Sequence, residues 1–376
     1  MCIYLYCEII LFIFALLLNN RNEKQLFVVS VIVLLVLLGL HDGTGDPHGY
    51  GYDYPEYLSF FKGLPSMYGS VDSPHTYELE WPYYYYCKLL RIIGDSDFIY
   101  ILTTCLVINV PFVIMVRKYS RNAPLSILWL FVIQATLVHR IVNTAHRQMI
   151  AHTFFMIALL LFLSIDKSLH WKNNKKTYGA IIGCLIVAIL GHSSSYFILP
   201  VLIALILLPQ ISKRNQIIVV STSFIVGVFF YEVFLNQFTQ LMFLLGDIEE
   251  IQRSTHYLVD DVYDTNKVSL NALLPQTIMT LSVVYFSNKE ELNTIFTKCL
   301  VWATVLVNIF FSVPLISRSL TTLWIIAIAG CIPIAFKNNR NARLVMIIVI
   351  VLQIFLAYRQ YIHPSFRMLP FTFIWE

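Results

Sequence analysis

Five arginines of this sequence lie near the ends of apolar runs, where they could bind an anion. They are Arg140, Arg147, Arg318, Arg359 and Arg367. Arg147 is the most informative, because it opens an apolar run and is followed at once by Gln148. A planar guanidinium at a helix N-terminus suits the oxygens of a diphosphate. The alternative is that these long side chains only reach toward lipid headgroups.

Candidate acids and bases occur in other segments between apolar runs. His192 lies in the segment Gly191-His192-Ser193-Ser194-Ser195, and histidine can act as an acid, a base or a donor near neutral pH. Asp53 lies between two tyrosines, and Glu80 precedes Trp81-Pro82. Each could take a proton from an attacking hydroxyl. The simpler alternatives are a structural role for His192 and a helix-capping role for Glu80.

Tyrosines are concentrated in the same segments. Tyr54, Tyr57 and Tyr83 are candidates for stacking on sugar rings and for bonding sugar hydroxyls. The alternative is an aromatic belt at a membrane interface. The paired acids Glu78 and Glu80 are a weak metal signal, since a hard cation needs more oxygen ligands than two. We therefore predict no metal site and no cofactor.

The composition indicates the elements that must position these residues. The 376 residues are 58% hydrophobic and only 13% charged, which excludes an ordinary soluble domain. Apolar runs recur at lengths near that of a membrane-spanning helix. We predict an all-α polytopic integral membrane protein, with about twelve transmembrane helices in a single domain over residues 1–376. Eleven helices are the alternative count. The predicted spans are 2–19, 26–41, 97–116, 124–139, 148–165, 178–191, 196–209, 216–235, 268–286, 298–315, 319–336 and 344–358.

The charges of the loops predict the orientation. Short loops after alternate spans carry basic residues such as Arg117, Lys213 and Lys337, so these loops are expected in the cytoplasm. Both termini and the two larger loops, 42–96 and 236–267, then lie on the outer face of the membrane. The basic loops are short and need only orient the protein, so a nucleic-acid partner has no support.

Four segments, in their order and spacing, resemble the EpsG family of exopolysaccharide polymerases, relatives of the Wzy O-antigen polymerases. Residues 51–57, Gly-Tyr-Asp-Tyr-Pro-Glu-Tyr, are similar to the family's GxDYxxY. Residues 80–83, Glu-Trp-Pro-Tyr, are similar to its ExGY, with proline in place of glycine. Residues 147–151, Arg-Gln-Met-Ile-Ala, match its RQxxA, and His192 resembles its outward-facing histidine.

The resemblance implies a GT-C-like, metal-independent glycosyltransferase. Such an enzyme takes a glycan from undecaprenyl diphosphate and joins it to a lipid-linked repeat unit of an O-antigen, a capsule or an exopolysaccharide. The expected diphosphate- and glycan-binding residues are Arg140, Arg147, Gln148, Arg318, Tyr54, Tyr57 and Tyr83. The expected catalytic residues are Arg147, with His192, Asp53 or Glu80 as the base. Expected partners are the lipid-linked oligosaccharide and membrane lipids, and candidate partners are a chain-length regulator and a flippase.

Two other functions remain open from the residues. One is a metal-dependent GT-C glycosyltransferase that uses a polyprenyl-phosphate sugar donor and acids of the first outer loop, such as Asp42, Glu78 or Glu80. The other is a polysaccharide flippase or transporter, which should carry charges inside its helix bundle. Glu8 and Glu232 are among the few such candidates, and no internal repeat is evident.

Overall fold

In the part of the chain that it describes, the computed structural model consists of helices and short connections. The described residues are 13, 24–29, 31–32, 54–64, 81–119, 146–165, 174–192, 195, 198, 201–202, 207–244, 270–292, 294–311, 314–335, 341, 344, 347–348 and 351. All regular elements within these ranges are helices, which confirms the predicted all-α class. The number of membrane spans and the GT-C-like architecture stay predictions.

Contacts divide the chain into two compact units, and the single transmembrane domain stays a prediction. The first unit comprises residues 1–195 and 353–376, and the second comprises residues 196–352. In the first unit, α2 packs on α1, α3 and α5, and α4 packs on α3 and α5. Their bounds are α1 Tyr54–Gly63, α2 Trp81–Ile93, α3 Asp97–Tyr119, α4 His146–Leu163 and α5 Lys175–Gly191. The predicted outer loop 42–96 therefore contains two helices.

In the second unit, α10 packs on α6, α8 and α11. The bounds are α6 Lys213–Phe229, α7 Tyr231–Leu244, α8 Leu270–Phe286, α9 Lys289–Leu292, α10 Ile295–Phe310 and α11 Pro314–Ala335. The side chain of Ser212 caps α6, and that of Thr294 caps α10, each by accepting a hydrogen bond from a backbone N–H three residues later. These caps satisfy donors that would otherwise have no partner inside the helix.

One helix within the described ranges, α4, is both long enough and apolar enough to cross a membrane. Its 18 residues have a mean hydropathy of 1.4. Shorter apolar stretches lie in four other helices, at Asp97–Pro111, Leu273–Phe286, Ile295–Phe310 and Ser319–Ile328. Apolar helices of this kind fit a membrane protein, because a helix satisfies its own backbone polar groups away from water.

Two predicted boundaries differ from the structure. The predicted span 216–235 is two helices, because α6 ends at Phe229 and α7 continues to Leu244, inside the predicted loop 236–267. Glu232 is exposed in the first turn of α7, where it accepts a hydrogen bond from the Tyr231 hydroxyl at 3.0 Å. Arg318 was expected between two spans, but its backbone lies in the second turn of α11. That helix begins at Pro314, a residue that suits a first helical position.

Buried polar side chains connect the helices of the second unit. The Asn308 side-chain nitrogen donates to the Ser223 hydroxyl at 3.1 Å, and the Thr277 hydroxyl donates to the Asn308 side-chain oxygen at 3.2 Å. The hydroxyls of Thr280 and Thr304 are 2.7 Å apart. Hydrogen bonds of this kind join helices where apolar packing alone gives little preference between partners.

The close approach of α6 and α10 can be tested at Gly227, where an added Cβ would overlap the carbonyl group of Asn308. We expect Gly227→Ala to lower the free energy of unfolding by about 1–3 kcal/mol, because the helices must move apart. Gly183→Ala is the control, since nothing lies within 4 Å of a Cβ added there. It should stay within about 1 kcal/mol of the wild type. Thermal unfolding in detergent would measure both variants. A melting temperature of Gly227→Ala equal to that of the wild type would contradict this close approach of α6 and α10.

Candidate functional site

The first turn of α4 contains the arginine that the sequence singled out. Because α4 begins at His146, Arg147 and Gln148 lie in its first turn. Arg147 is partly exposed, whereas Gln148 and Ala151 are 3% and 1% exposed. The unpaired N–H groups of a helix start carry a partial positive charge, which adds to that of a guanidinium. This end of α4 therefore offers an electropositive group that a ligand can approach.

The ring of Tyr57, on α1, contacts the predicted arginine and two further rings. The guanidinium carbon of Arg147 lies 5.6 Å from the centroid of the Tyr57 ring, within the range of a cation–π contact. The His146 ring stacks on Tyr57 with centroids 5.3 Å apart and an interplanar angle of 22°. The Tyr83 ring meets Tyr57 edge-on at 5.7 Å. Tyr57 thus brings together residues of the GxDYxxY-like, ExGY-like and RQxxA-like segments.

A chain of hydrogen bonds runs through three helices beside this cluster. The hydroxyls of Tyr83 on α2 and Tyr100 on α3 are 2.7 Å apart, and either can donate. The Tyr100 hydroxyl is also 3.0 Å from Nδ1 of His146 on α4. All three residues are buried, at 6% exposure or less. Burial raises the pKa of Tyr83 well above its ordinary value, so its hydroxyl stays neutral and can both donate and accept.

The end of α5 lies against the start of α4. A Cβ added to Gly191 would lie 3.2 Å from Cβ of Ala151 and 3.9 Å from Cβ of Pro82, so α5 ends close to both α4 and α2. His192 follows as the C-terminal cap, with an extended backbone and a partly exposed side chain. Since Ala151 is one turn after Arg147, His192 lies at the same end of α4 as the arginine.

The side-chain nitrogen of Gln148 is buried and has no hydrogen-bond partner in the part of the chain that the structure describes. A buried donor without an acceptor costs about 1–3 kcal/mol, so such groups are uncommon in folded proteins. A ligand that carries oxygen atoms, such as a diphosphate or a sugar, would supply the missing acceptor.

Five of the predicted site residues have side chains that the structure does not describe. Asp53, Glu80 and Arg140 lie outside the described residues, and Tyr54 and Arg318 are described by their backbone alone. The rings of Tyr57 and Tyr83 contact protein, and their role in binding glycan stays a prediction. The catalytic and binding roles of all the predicted residues are likewise proposals.

Tyr100 and His146 are the two members of the cluster that the sequence did not single out. His146 immediately precedes Arg147 in the sequence, but nothing in its own spacing marked it as part of the site. Tyr100 lies inside an apolar run, 46 residues before His146, and no local pattern connects the two. The one signal in the sequence was that Tyr100, a polar aromatic residue, lies in the first turn of the predicted span 97–116.

Metal ligands do not cluster within the described ranges. No group of three or more His, Cys, Asp or Glu side chains there is arranged to hold a metal ion. Asp42, Glu78 and Glu80, the acids of the metal-dependent alternative, lie outside those ranges.

Comparisons with known proteins identify the family. No curated protein matches the sequence, and no solved structure matches it. A family model, described as the EpsG family, matches residues 31–373. This range covers most of the chain and includes all four segments that carried the resemblance, which confirms it. The chain belongs to the EpsG family.

Proposed function

We propose that this protein polymerises lipid-linked oligosaccharide repeat units on the outer face of a bacterial inner membrane. Membership of the EpsG family indicates a membrane protein with a polysaccharide-polymerase type of glycosyltransferase activity. Our proposal adds the donor, a glycan on undecaprenyl diphosphate, and the acceptor, a sugar hydroxyl of another repeat unit. One observation carries it: Arg147, partly exposed at the start of the apolar helix α4, is held beside residues of the other family-like segments.

The proposed reaction requires positive charge on the leaving group. The acceptor hydroxyl attacks the anomeric carbon, the bond from that carbon to the diphosphate oxygen breaks, and the lipid diphosphate leaves with the electron pair. Arg147 would neutralise the charge that develops on the diphosphate, with help from the N-terminus of α4. Gln148 would donate its unused N–H to an oxygen of the same group. We propose Arg140 and Arg318 as further diphosphate ligands.

The proton of the acceptor hydroxyl needs a base. His192, at the same end of α4 as Arg147, is one candidate, and Asp53 and Glu80 are the others. Tyr54, Tyr57 and Tyr83 are proposed to bind the glycan. No metal ion takes part in this scheme, and membrane lipids would surround the apolar helices.

The diphosphate assignment predicts the effect of changing Arg147. We expect Arg147→Ala to stay inserted in the membrane but to lose about 10²–10³-fold in polymerisation rate, since removing one preorganised charge-stabilising donor typically costs this much. Arg147→Lys should also be poor, because an ammonium cannot reproduce the two parallel hydrogen bonds of a guanidinium. Cells should then carry single repeat units on the lipid-linked acceptor, which gel analysis of the glycan would reveal. Arg318→Ala should have the same phenotype.

Arg91 provides a matched control for Arg147. It lies in the same unit, and its guanidinium carbon is also 5.6 Å from a ring centroid, that of Phe61. It forms an ion pair with Asp95 and belongs to none of the family-like segments. Arg91→Ala should therefore leave long polymer in place. Long polymer in both Arg147→Ala and Arg318→Ala cells would show that the diphosphate assignment is wrong.

The buried amide of Gln148 gives an independent prediction. Gln148→Met removes a donor that has no partner within the described ranges, so thermal stability should stay the same or rise, by at most about 1–3 kcal/mol. Polymerisation should fall by roughly tenfold or more, because a hydrogen bond to a charged oxygen is lost. Gln276→Met in the second unit is the control, since its side-chain oxygen is also buried with no hydrogen-bond partner among the described residues. The control should keep normal polymerisation. If Gln148→Met instead loses stability and polymerises normally, the amide bonds within the protein and not to the substrate.

Chelation distinguishes the proposal from the metal-dependent alternative. Purified protein given lipid-linked repeat units should form polymer at the same rate with and without EDTA, because arginines supply the charge that a metal would provide. Activity that disappears with EDTA and returns with added Mg²⁺ or Mn²⁺ would favour the polyprenyl-phosphate glycosyltransferase and exclude the metal-free scheme.

A further inference from the structure

We propose that Tyr100 and His146 are positioning residues, which hold the Tyr57 ring against the guanidinium of Arg147 and so orient it toward the diphosphate. The inference rests on the proposed function, because orientation of Arg147 matters only if Arg147 binds the substrate. It adds two residues that lie outside the family-like segments, and it gives the ring of Tyr57 a second role besides glycan binding.

An arginine side chain needs orientation before it can bind two oxygens at once. Its long stem has several rotatable bonds, and fixing them on binding costs free energy that weakens the complex. Contact with a fixed aromatic ring reduces this cost, because the guanidinium is already restricted before the ligand arrives. The Tyr57 ring, 5.6 Å from the guanidinium carbon, is such a surface.

The Tyr57 ring is itself fixed by its neighbours. His146 stacks on it and Tyr83 meets it edge-on. The residue is only 2% exposed, so its ring has little room to turn. Displacement of either neighbour would leave space into which the tyrosine ring could rotate.

Tyr100 fixes both of those neighbours at once. Its hydroxyl bonds to Nδ1 of His146 at 3.0 Å and to the Tyr83 hydroxyl at 2.7 Å. Its own ring packs on Phe61 of α1, with centroids 5.2 Å apart. One oxygen atom thus connects the stacking ring on α4 with the edge-on ring on α2, and both rings hold Tyr57.

Tyr86, whose ring lies 6.3 Å from that of Tyr83, also makes a hydrogen bond between α2 and α3. Its hydroxyl bonds to the Thr104 hydroxyl at 2.9 Å and so also joins α2 to α3. This bond does not involve His146, Tyr57 or Arg147. Tyr86→Phe therefore removes a hydroxyl that joins α2 to α3, keeps the ring beside Tyr83, and leaves the bond between Tyr100 and His146 in place.

The test measures binding of undecaprenyl diphosphate, which carries no sugar, to the purified full-length protein in detergent. Because the probe has no glycan, contacts between tyrosines and sugars cannot affect the result. We expect Tyr100→Phe to weaken binding roughly tenfold, whereas Tyr86→Phe binds like the wild type. Tyr100→Phe loses two hydrogen bonds between helices and Tyr86→Phe loses one, so the melting temperature without ligand should fall further in Tyr100→Phe.

A second pair of variants keeps the inference testable if Tyr100→Phe does not fold. Tyr57→Leu removes the ring beside the guanidinium and should weaken binding by a similar factor. Tyr57→Phe keeps the ring, loses only the hydroxyl, and should bind like the wild type. If the Tyr57 ring acts by stacking, Tyr57→Phe keeps normal binding of undecaprenyl diphosphate. If the Tyr57 hydroxyl is what matters, both variants lose binding.

Arg147→Ala separates this inference from the proposed function. If Arg147→Ala loses binding while Tyr100→Phe and Tyr57→Leu bind normally, the positioning role is wrong and the diphosphate assignment stands. If Arg147→Ala itself binds undecaprenyl diphosphate normally, both are wrong. Loss of binding in Arg147→Ala, Tyr100→Phe and Tyr57→Leu, with normal binding in Tyr86→Phe and Tyr57→Phe, is the result we predict.

Discussion

The hydrogen-bonded chain from Tyr83 through Tyr100 to His146 is the interaction on which the candidate site depends. A phenol or an imidazole buried among apolar side chains is costly unless its polar atoms are bonded, so these three groups must meet. Because they belong to α2, α3 and α4, their bonds fix the relative positions of three helices. The ring of Tyr57 packs against two members of this chain, and the guanidinium of Arg147 lies beside that ring.

The second unit meets the same requirement, and its cation at a helix start, Lys213 of α6, donates to the backbone carbonyl oxygen of Ser287 at 3.0 Å. Its buried Ser223, Asn308, Thr280 and Thr304 bond to one another in pairs and join packed helices. A close approach at Gly227 accompanies these bonds. The Lys213 ammonium is thus bonded to the protein backbone, whereas the first unit combines a buried polar cluster with a partly exposed arginine beside an aromatic ring. This difference is why the proposed chemistry centres on α4.

The sequence predicted the helices well where apolar runs end at charged or capping residues. The predicted span 148–165 is α4, His146–Leu163, and the predicted span 178–191 is α5, Lys175–Gly191. The break at Phe230 was missed because no proline marks it and apolar residues continue on both sides of it, while Gly227 lies within α6. Hydropathy measures transfer from water and does not detect where a backbone hydrogen-bond ladder is interrupted.

The candidate site was only partly predictable, for a similar reason. Arg147 and Gln148 were identified because polar residues stand out at the start of an apolar run, and the family resemblance placed them in a motif. The bond between Tyr100 and His146 joins residues that are distant in sequence, and it depends on how α3 and α4 pack. Packing between helices is set by the shapes of many side chains together, so no single spacing in the sequence could reveal that contact.

The central claim is that Arg147 binds the diphosphate of a lipid-linked substrate at the start of α4. The most direct measurement is a cryo-electron microscopy structure of the protein in a lipid nanodisc with undecaprenyl diphosphate bound. We expect diphosphate oxygens within about 2.7–3.2 Å of the Arg147 guanidinium nitrogens. The Tyr57 ring should stay beside the guanidinium. A diphosphate bound elsewhere, with Arg147 directed toward lipid headgroups, would show that Arg147 does not bind the substrate.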